Sequence, residues 1–234
     1  DRAVGTRVGA AVTVRRGAPG LPPDTVRIHL RGSAGQSLGA FLPRGVTVVV
    51  VGDANDYVAK GLSGGCVVVR PDPAAPFAAH TQVIAGNTVL YGATAGELYL
   101  RGRVGERFAV RNSGASAVCE GTGDHACEYM TGGRVVIAGP TGRNLAAGMS
   151  GGVVHVLDLD PECVNTGSVR MRAVDARDMQ PLRVLLERHR ERTGSPVAAA
   201  ALRDWPCSAA RFSTVTAVDE PGCSPPARAP RDGR

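Results

Sequence analysis

A glycine-anchored unit of about nineteen residues recurs along most of this 234-residue chain. Taking the residue just before each short apolar run as the anchor gives Gly45, Gly65, Gly96, Ala115, Gly133 and Gly152. The intervals are 20, 31, 19, 18 and 19 residues. The long interval contains PDPAAPFAAHTQ, which reads as a loop inserted into one unit. Ten residues before the anchors stand Gly35, Asn55, Gly86, Gly105, Gly123 and Gly142, residue types that tolerate positive φ. Seven before are Leu38, Val58, Val89, Phe108, Ala126 and Leu145, all apolar. Two before are Pro43, Ser63, Thr94, Ser113, Thr131 and Ser150, mostly hydroxyls. Two and four after come Thr47/Val49, Val67/Val69, Leu98/Leu100, Ala117/Cys119, Val135/Ile137 and Val154/Val156, a period-two pattern with an apolar inner face. Two weaker units precede these, AVTVRRG ending at Gly17 and VRIHLRG ending at Gly32.

Short strands at this period, with glycine at fixed places, predict an all-β fold: a single-stranded parallel β-helix of about 7–8 coils. At ~4.8 Å per coil the rod would be about 40 Å long. A lone coil cannot bury its inner face, so stacking supplies both the core and the backbone partners. By analogy with parallel crossovers the winding is expected to be right-handed. A propeller would need about 40 residues per blade, more than the period allows. The remaining glycines assigned to corners are Gly61, Gly64, Gly92, Gly114, Gly132, Gly148 and Gly151. The β-helix is placed at 1–160. The pattern changes after Asp158: DARDMQPLRVLLERHRERTG sets Leu182, Leu185 and Leu186 on one face and ends at Gly194, an amphipathic helix. A shorter helix is read through PVAAALRDW, completing a helical cap at 170–206 that covers the last coil or docks on a partner. The Arg- and Pro-rich end, 219–234, reads as a disordered tail.

Composition fits this picture. There are 31 glycines and only 4% aromatic residues, which favours strands and tight turns over helices packed on large side chains. The net charge is +6 and Lys60 is the only lysine, but the arginines are scattered and form no stripe that would track phosphates. No apolar run is long enough to span a membrane. Neither nucleic acid nor membrane is expected as a partner. The start, DRAVGTRVGA, has no initiator Met and no apolar signal region, so the chain reads as an excerpt or a processed piece. Cys66, Cys119, Cys127, Cys163, Cys207 and Cys223 form no C-x-x-C pair. An even count invites a disulfide reading, but a chain able to bury a core favours reduced thiols and a cytoplasmic setting.

One stretch looks like chemistry. GDHACEYMTGG (123–133) places Asp124, His125, Cys127 and Glu128 within five residues, as a metal site or an acid–base pair would. The repeat argues otherwise. Cys127 shares its column with Gly39, Ala59, Leu90, Ala109 and Ala146, a place for something small or apolar. Asp124 shares a polar column with Gln36, Asp56, Asn87, Glu106 and Arg143, and His125 a tolerant one with Ser37, Tyr57, Thr88, Arg107 and Asn144. Side chains pointing some inward and some outward do not converge on an ion. The spacing of Gly32, Gly35 and Gly39, and of Gly61, Gly64 and Gly65, misses G-x-G-x-x-G, and no helix follows. No G-x-S-x-G elbow exists, so the hydroxyl column is read as capping turn backbone. Asp53 and Asp56 could bind a cation only with further oxygen ligands. No catalytic, cofactor-binding or metal-ligating residue is assigned.

SAGQSLGAFLPRGVTVVVVGDANDYVAKGLSGG, AGNTVLYGATAGELYLRG, GERFAVRNSGASAVCEGTGDHACEYMTGG and GRNLAAGMSGG closely resemble the C-terminal GXGXG domain of the glutamate synthase large (alpha) subunit family. The resemblance is strong over 1–158 and looser to about 218. It implies a right-handed β-helix in an oxidoreductase that makes glutamate from glutamine and 2-oxoglutarate, serving ammonia assimilation. In that family the domain is structural. FMN and a 3Fe–4S cluster belong to partner catalytic domains, and glutamine hydrolysis to an N-terminal cysteine, whereas this chain starts with Asp1. The implied partners are the glutaminase and FMN-binding domains and the small subunit. The alternative is a free-standing β-helix subunit of another oxidoreductase, as in formylmethanofuran dehydrogenase or N-methylglutamate synthase-like complexes.

Overall fold

The computed structural model describes residues 1–205 and 207–218. The expected tail at 219–234, and Cys223 with it, lie outside the described residues. In chain order the elements are α1 (Thr6–Arg16), β1 (Val26–Ala34), β2 (Val46–Ala54), β3 (Ser63–Arg70), β4 (Val83–Ala85), β5 (Ala95–Leu100), β6 (Arg103–Val104), β7 (Ser113–Cys119), β8 (Thr131–Ile137), β9 (Gly151–Leu157), β10 (Val169–Ala173), α2 (Ala176–Thr193), α3 (Pro196–Arg203) and β11 (Phe212–Ala217). Strands β1, β2, β3, β5, β7, β8 and β9 each pair in parallel with the next, one strand per coil. This is the solenoid the repeat predicts, with about seven coils and a helical part after them. The short β4 and β6 continue a second ladder from the far end of β2. No described helix is long and apolar enough to cross a membrane.

Aliphatic ladders fill the interior. Ile28, Val48, Val67, Leu98, Ala117, Val135 and Val154 follow one another in register, as do Leu30, Val50, Val69 and Leu100. From Val48 onward these side chains are fully or almost fully buried. One expectation fails in β2, where Val46, Val48 and Val50 face inward rather than Thr47 and Val49. Val48 pairs with Val67, 19 residues on, while the turn residues Ser37 and Tyr57 are 20 apart. The segment 43–45 thus holds one residue more than its counterpart, and Pro43 bridges both Ser63 and Gly64. A one-residue slip turns a strand over. Val49 packs instead in a second core on the outer face.

The first weak unit is also corrected, because AVTVRRG lies in α1 and not in a coil. Residues 1–5 already lie on the first turn, through Ala3 N–H to Gln36 O (2.8 Å), Gly35 N–H to Asp1 O (3.1 Å) and Gly39 N–H to Val4 O (2.9 Å). A strand would have needed Val12 and Val14 on the same face. Val12 is buried and Val14 is 87% exposed, with Gly9 one helical turn before Val12 set against Pro43 and Leu42. The helix closes the open N-terminal end of the stack, where a bare rung would otherwise leave its core unpartnered.

The C-terminal helices do not take the open edge of the last coil. β9 is followed in the sheet by β11 and then β10, both antiparallel. Helix α2 lies on the outer faces of β3, β5 and β7, where Leu182, Leu185 and Leu186 meet Cys66, Val68, Tyr99, Val118 and Val136. Asp175 caps α2 reciprocally with Asp178, and Gly194 ends it at φ 69°. Ser195 accepts from Ala198 N–H and opens α3, with Pro196 in its first turn.

Candidate functional site

The cluster 123–130 lies on a side of the coil that is neither strand nor ordinary turn. In each of six coils three alternate residues have φ near +60°: Ser37, Gly39 and Phe41 in the first, and Tyr57, Ala59 and Gly61 in the next. The pattern continues through Thr88, Leu90, Gly92 and on to Asn144, Ala146, Gly148. Fourteen of the eighteen are not glycine. Their N–H groups point alternately up and down the stack. Thus His125 N–H donates to Arg143 O (2.8 Å) on the following coil, Cys127 N–H to Phe108 O (2.7 Å) on the preceding one, and Tyr129 N–H to Ala147 O (2.9 Å) on the following one. These inter-coil bonds hold a conformation most side chains avoid.

The same alternation scatters the candidate ligands. Cys127 points inward and is fully buried, and desolvation pushes its thiol up. Asp124 Oδ1 accepts from the backbone N–H of Arg143 (2.8 Å), and its other oxygen from the Arg143 guanidinium (2.8 Å). Those bonds hold its carboxyl below the usual value. His125 and Glu128 pair with each other instead, at 2.6 Å. The Asp124 contact is one rung of a ladder: Asp56 Oδ1 accepts from Asn87 N–H and Asn87 Oδ1 from Glu106 N–H, both at 2.8 Å. Asp56 is therefore committed along the stack, while Asp53 sits exposed on β2. The hydroxyl column donates to carbonyls one coil back, Ser63 to Leu42 O (3.3 Å) and Ser113 to Ala93 O (3.3 Å).

The glycines ten residues before the anchors and those at the strand entrances have separate physical causes. Gly35, Gly86, Gly105, Gly123 and Gly142 are not left-handed, contrary to the reading of their column. What excludes a side chain there is contact: a Cβ would lie 2.2 Å from Asp56 Oδ1 at Gly86, 2.2 Å from Asn87 Oδ1 at Gly105, and 2.3 Å from Asp124 Oδ1 at Gly142. The rungs of the polar ladder occupy the space at these three, and neighbouring backbone occupies it at Gly35 and Gly123. Gly64, Gly65, Gly96, Gly114, Gly132, Gly133, Gly151 and Gly152 sit at the entrance to their strands, where the register shifts between coils. There the backbone of the preceding coil stands within 3.0 Å of where a Cβ would be.

Burial, not sequence spacing, reveals two polar clusters under the helices. Glu120, fully covered, accepts from Ser195 Oγ and lies 3.4 Å from His189 Nε2, whose ring stacks on Tyr99. His189 continues the apolar face of α2, four residues after Leu185, which was the only signal of its place. In the second cluster Arg172 clasps Asp178, Thr214 Oγ1 donates to Asp178 (3.3 Å), and His155 Nδ1 lies 3.2 Å from Thr214 Oγ1. Thr214 has one proton and gives it to Asp178, so Nδ1 carries the hydrogen of His155. Burial pushes His155 down to about 4. Burial opposes the Asp178 carboxylate, but the Arg172 guanidinium and the Asp175 N–H outweigh it and hold the group below its usual value.

No three His, Cys, Asp or Glu side chains among the described residues gather where an ion could bind. Burial pushes the thiols of Cys66 and Cys119 up to about 12.

Comparison with known proteins gives a consistent set of relatives. The family described as GXGXG motif matches residues 1–218. Glutamate synthase (NADH) of Schizosaccharomyces pombe is 51% identical over 219 residues, spanning 92% of this chain and 10% of its own length. Glutamate synthase (NADPH) large chain of Bacillus subtilis is 47% identical over 220 residues, 92% of this chain and 14% of its own. Ferredoxin-dependent glutamate synthase 2 of Synechocystis sp. is 48% identical over 209 residues, with 88% and 13% covered. The chain thus spans only 10% to 14% of the length of these relatives.

Proposed function

The chain belongs to the GXGXG-motif family, and from that premise we propose that it is the β-helical scaffold domain of a glutamate synthase large chain. The enzyme would convert glutamine and 2-oxoglutarate to glutamate in the cytoplasm, assimilating ammonia, with this domain carrying no active site of its own. One observation carries the reading: nearly the whole chain aligns at 47–51% identity with a small fraction of much longer glutamate synthases. Those relatives are named for NADH, NADPH and ferredoxin, yet they resemble this chain about equally. A domain indifferent to the donor is not where the donor is read. FMN and a 3Fe–4S cluster would sit on the catalytic domains, as would the glutaminase chemistry. The role left to the stack is mechanical: a rigid rod, closed at its N-terminal end and armoured along one flank, against which catalytic domains and the small subunit hold their relative places. Transfer of ammonia between two active sites depends on such packing.

The test is an assay of the full-length polypeptide that contains this domain. It should form glutamate from glutamine and 2-oxoglutarate in the presence of a reductant. An intact polypeptide lacking catalytic domains in frame, or unable to form glutamate with any of the three donors, would overturn the reading.

A further inference from the structure

The left-handed ladder presents an outer surface that the chain's own helices leave bare. Three of the four tyrosines lie on it: Tyr57 and Tyr91 are each 40% exposed and Tyr129 is 56% exposed. Phe41, in the same column as Tyr129, is 60% exposed. Coil geometry does not ask for rings here, since that column holds Gly61, Gly92, Arg111 and Gly148 elsewhere. The rings are nonetheless held in place. Phe41 lies against Gly61 and Tyr129 against Gly148, so closely that a Cβ would come within 2.4 Å and 2.6 Å of them, and Lys60 Nζ stands 5.4 Å from the Tyr57 centroid. Tyr57, Tyr91, Tyr129 and Val110 line a concavity of about 470 Å³ together with Arg107 and Arg111. Neither arginine makes an ion pair or side-chain hydrogen bond among the described residues, and the one acid there, Glu128, is already paired with His125. Ordered aromatic rings beside uncommitted guanidinium groups are the groups that carry binding energy at protein interfaces.

We infer that this face seats another part of the same large chain, a surface bringing apolar side chains to the rings and carboxylates to Arg107 and Arg111. The inference rests on the glutamate synthase reading, under which 86–90% of the polypeptide lies outside the matched stretch. Covalent linkage raises the effective concentration of that surface, so a modest patch suffices. A second copy presenting the same face would bring Arg107 and Arg111 no free carboxylate, because Glu128, the one acid lining the concavity, is already paired with His125.

Hydroxyl-radical footprinting of the full-length enzyme tests this, with buried Tyr99 and exposed Phe77 as internal references. Tyr57, Tyr91 and Tyr129 should oxidise about tenfold more slowly than their exposure in this chain implies, close to Tyr99, and independently of enzyme concentration. Arg107→Glu with Arg111→Glu should restore their oxidation. Tyrosines as reactive as Phe77 in the intact enzyme, or protection that appears only as concentration rises, would overturn the inference. Glutamate formation measured on the same sample judges the functional reading separately, because the footprint does not depend on turnover.

Discussion

Glycine at Gly105 and glycine at Gly92 are the same residue answering different demands. At Gly105 an added Cβ would meet Asn87 Oδ1 at 2.2 Å and the Gly86 backbone at 2.9 Å, neither able to yield without breaking the stack. At Gly92 there is open space and φ +62°, close to the +56° of Ala59 and Ala109. Gly105→Ala should therefore cost about 3 kcal/mol and Gly92→Ala about 1 kcal/mol, read as shifts in urea midpoint; equal losses would contradict the distinction. The glycine columns were legible because close contact with the preceding coil keeps most of their positions free of a side chain, Asn55 and Ala115 being the exceptions. The left-handed columns were not, because Ser37, Tyr57, Thr88 and Arg107 have no shared preference for that conformation, and the inter-coil hydrogen bonds impose it. His155 gives a pH prediction. Its ordinary value is 6.5 and its folded value about 4, so between them the unfolded chain holds the extra proton. The His155 contribution is complete above about pH 6.5 and declines on acidification, by up to about 3 kcal/mol near pH 4. Asp178 acts in the same direction at lower pH, since its carboxyl is held below its usual value. Urea melts at several pH values should show this slope, and His155→Gln should flatten it.

Helix α2 was readable from its period and from Gly194, but its resting place was not. Glu120 and His189 are 69 residues apart and meet only because α2 runs along the flank of the sheet. Helix α1 was misread because AVTV offers two apolar residues at strand spacing, and only burial shows that Val14 faces solvent. The inverted face of β2 escaped notice for a related reason, since a repeated glycine anchor hides one inserted residue before the strand. Leu186 is fully buried between α2 and the outer face of the sheet. Leu186→Ala should cost about 2–5 kcal/mol. Hydrogen exchange should then quicken in α2 and α3 while β5, β7 and β8 stay protected. Uniform loss of protection would mean that helices and coils form a single cooperative unit.

As a molecule, the chain is a stack in which each coil satisfies its neighbour's backbone, with its reactive-looking groups consumed in that task. Asp124 braces the next coil, Cys127 fills the interior, and His125 closes on Glu128. Repetition made the fold class readable, because six aligned columns carry more information than any one motif; the family strings pointed to the same fold. The decisive measurement uses residues the repeat itself supplies in the same columns. In the full-length enzyme, Asp124→Asn, His125→Ser and Cys127→Ala copy Asn87, Ser37 and Ala59. With all three changes together, kcat for glutamate formation should stay within about twofold of the parent. A loss of about a hundredfold or more in an enzyme that still melts like the parent would place chemistry in this domain and contradict the scaffold account.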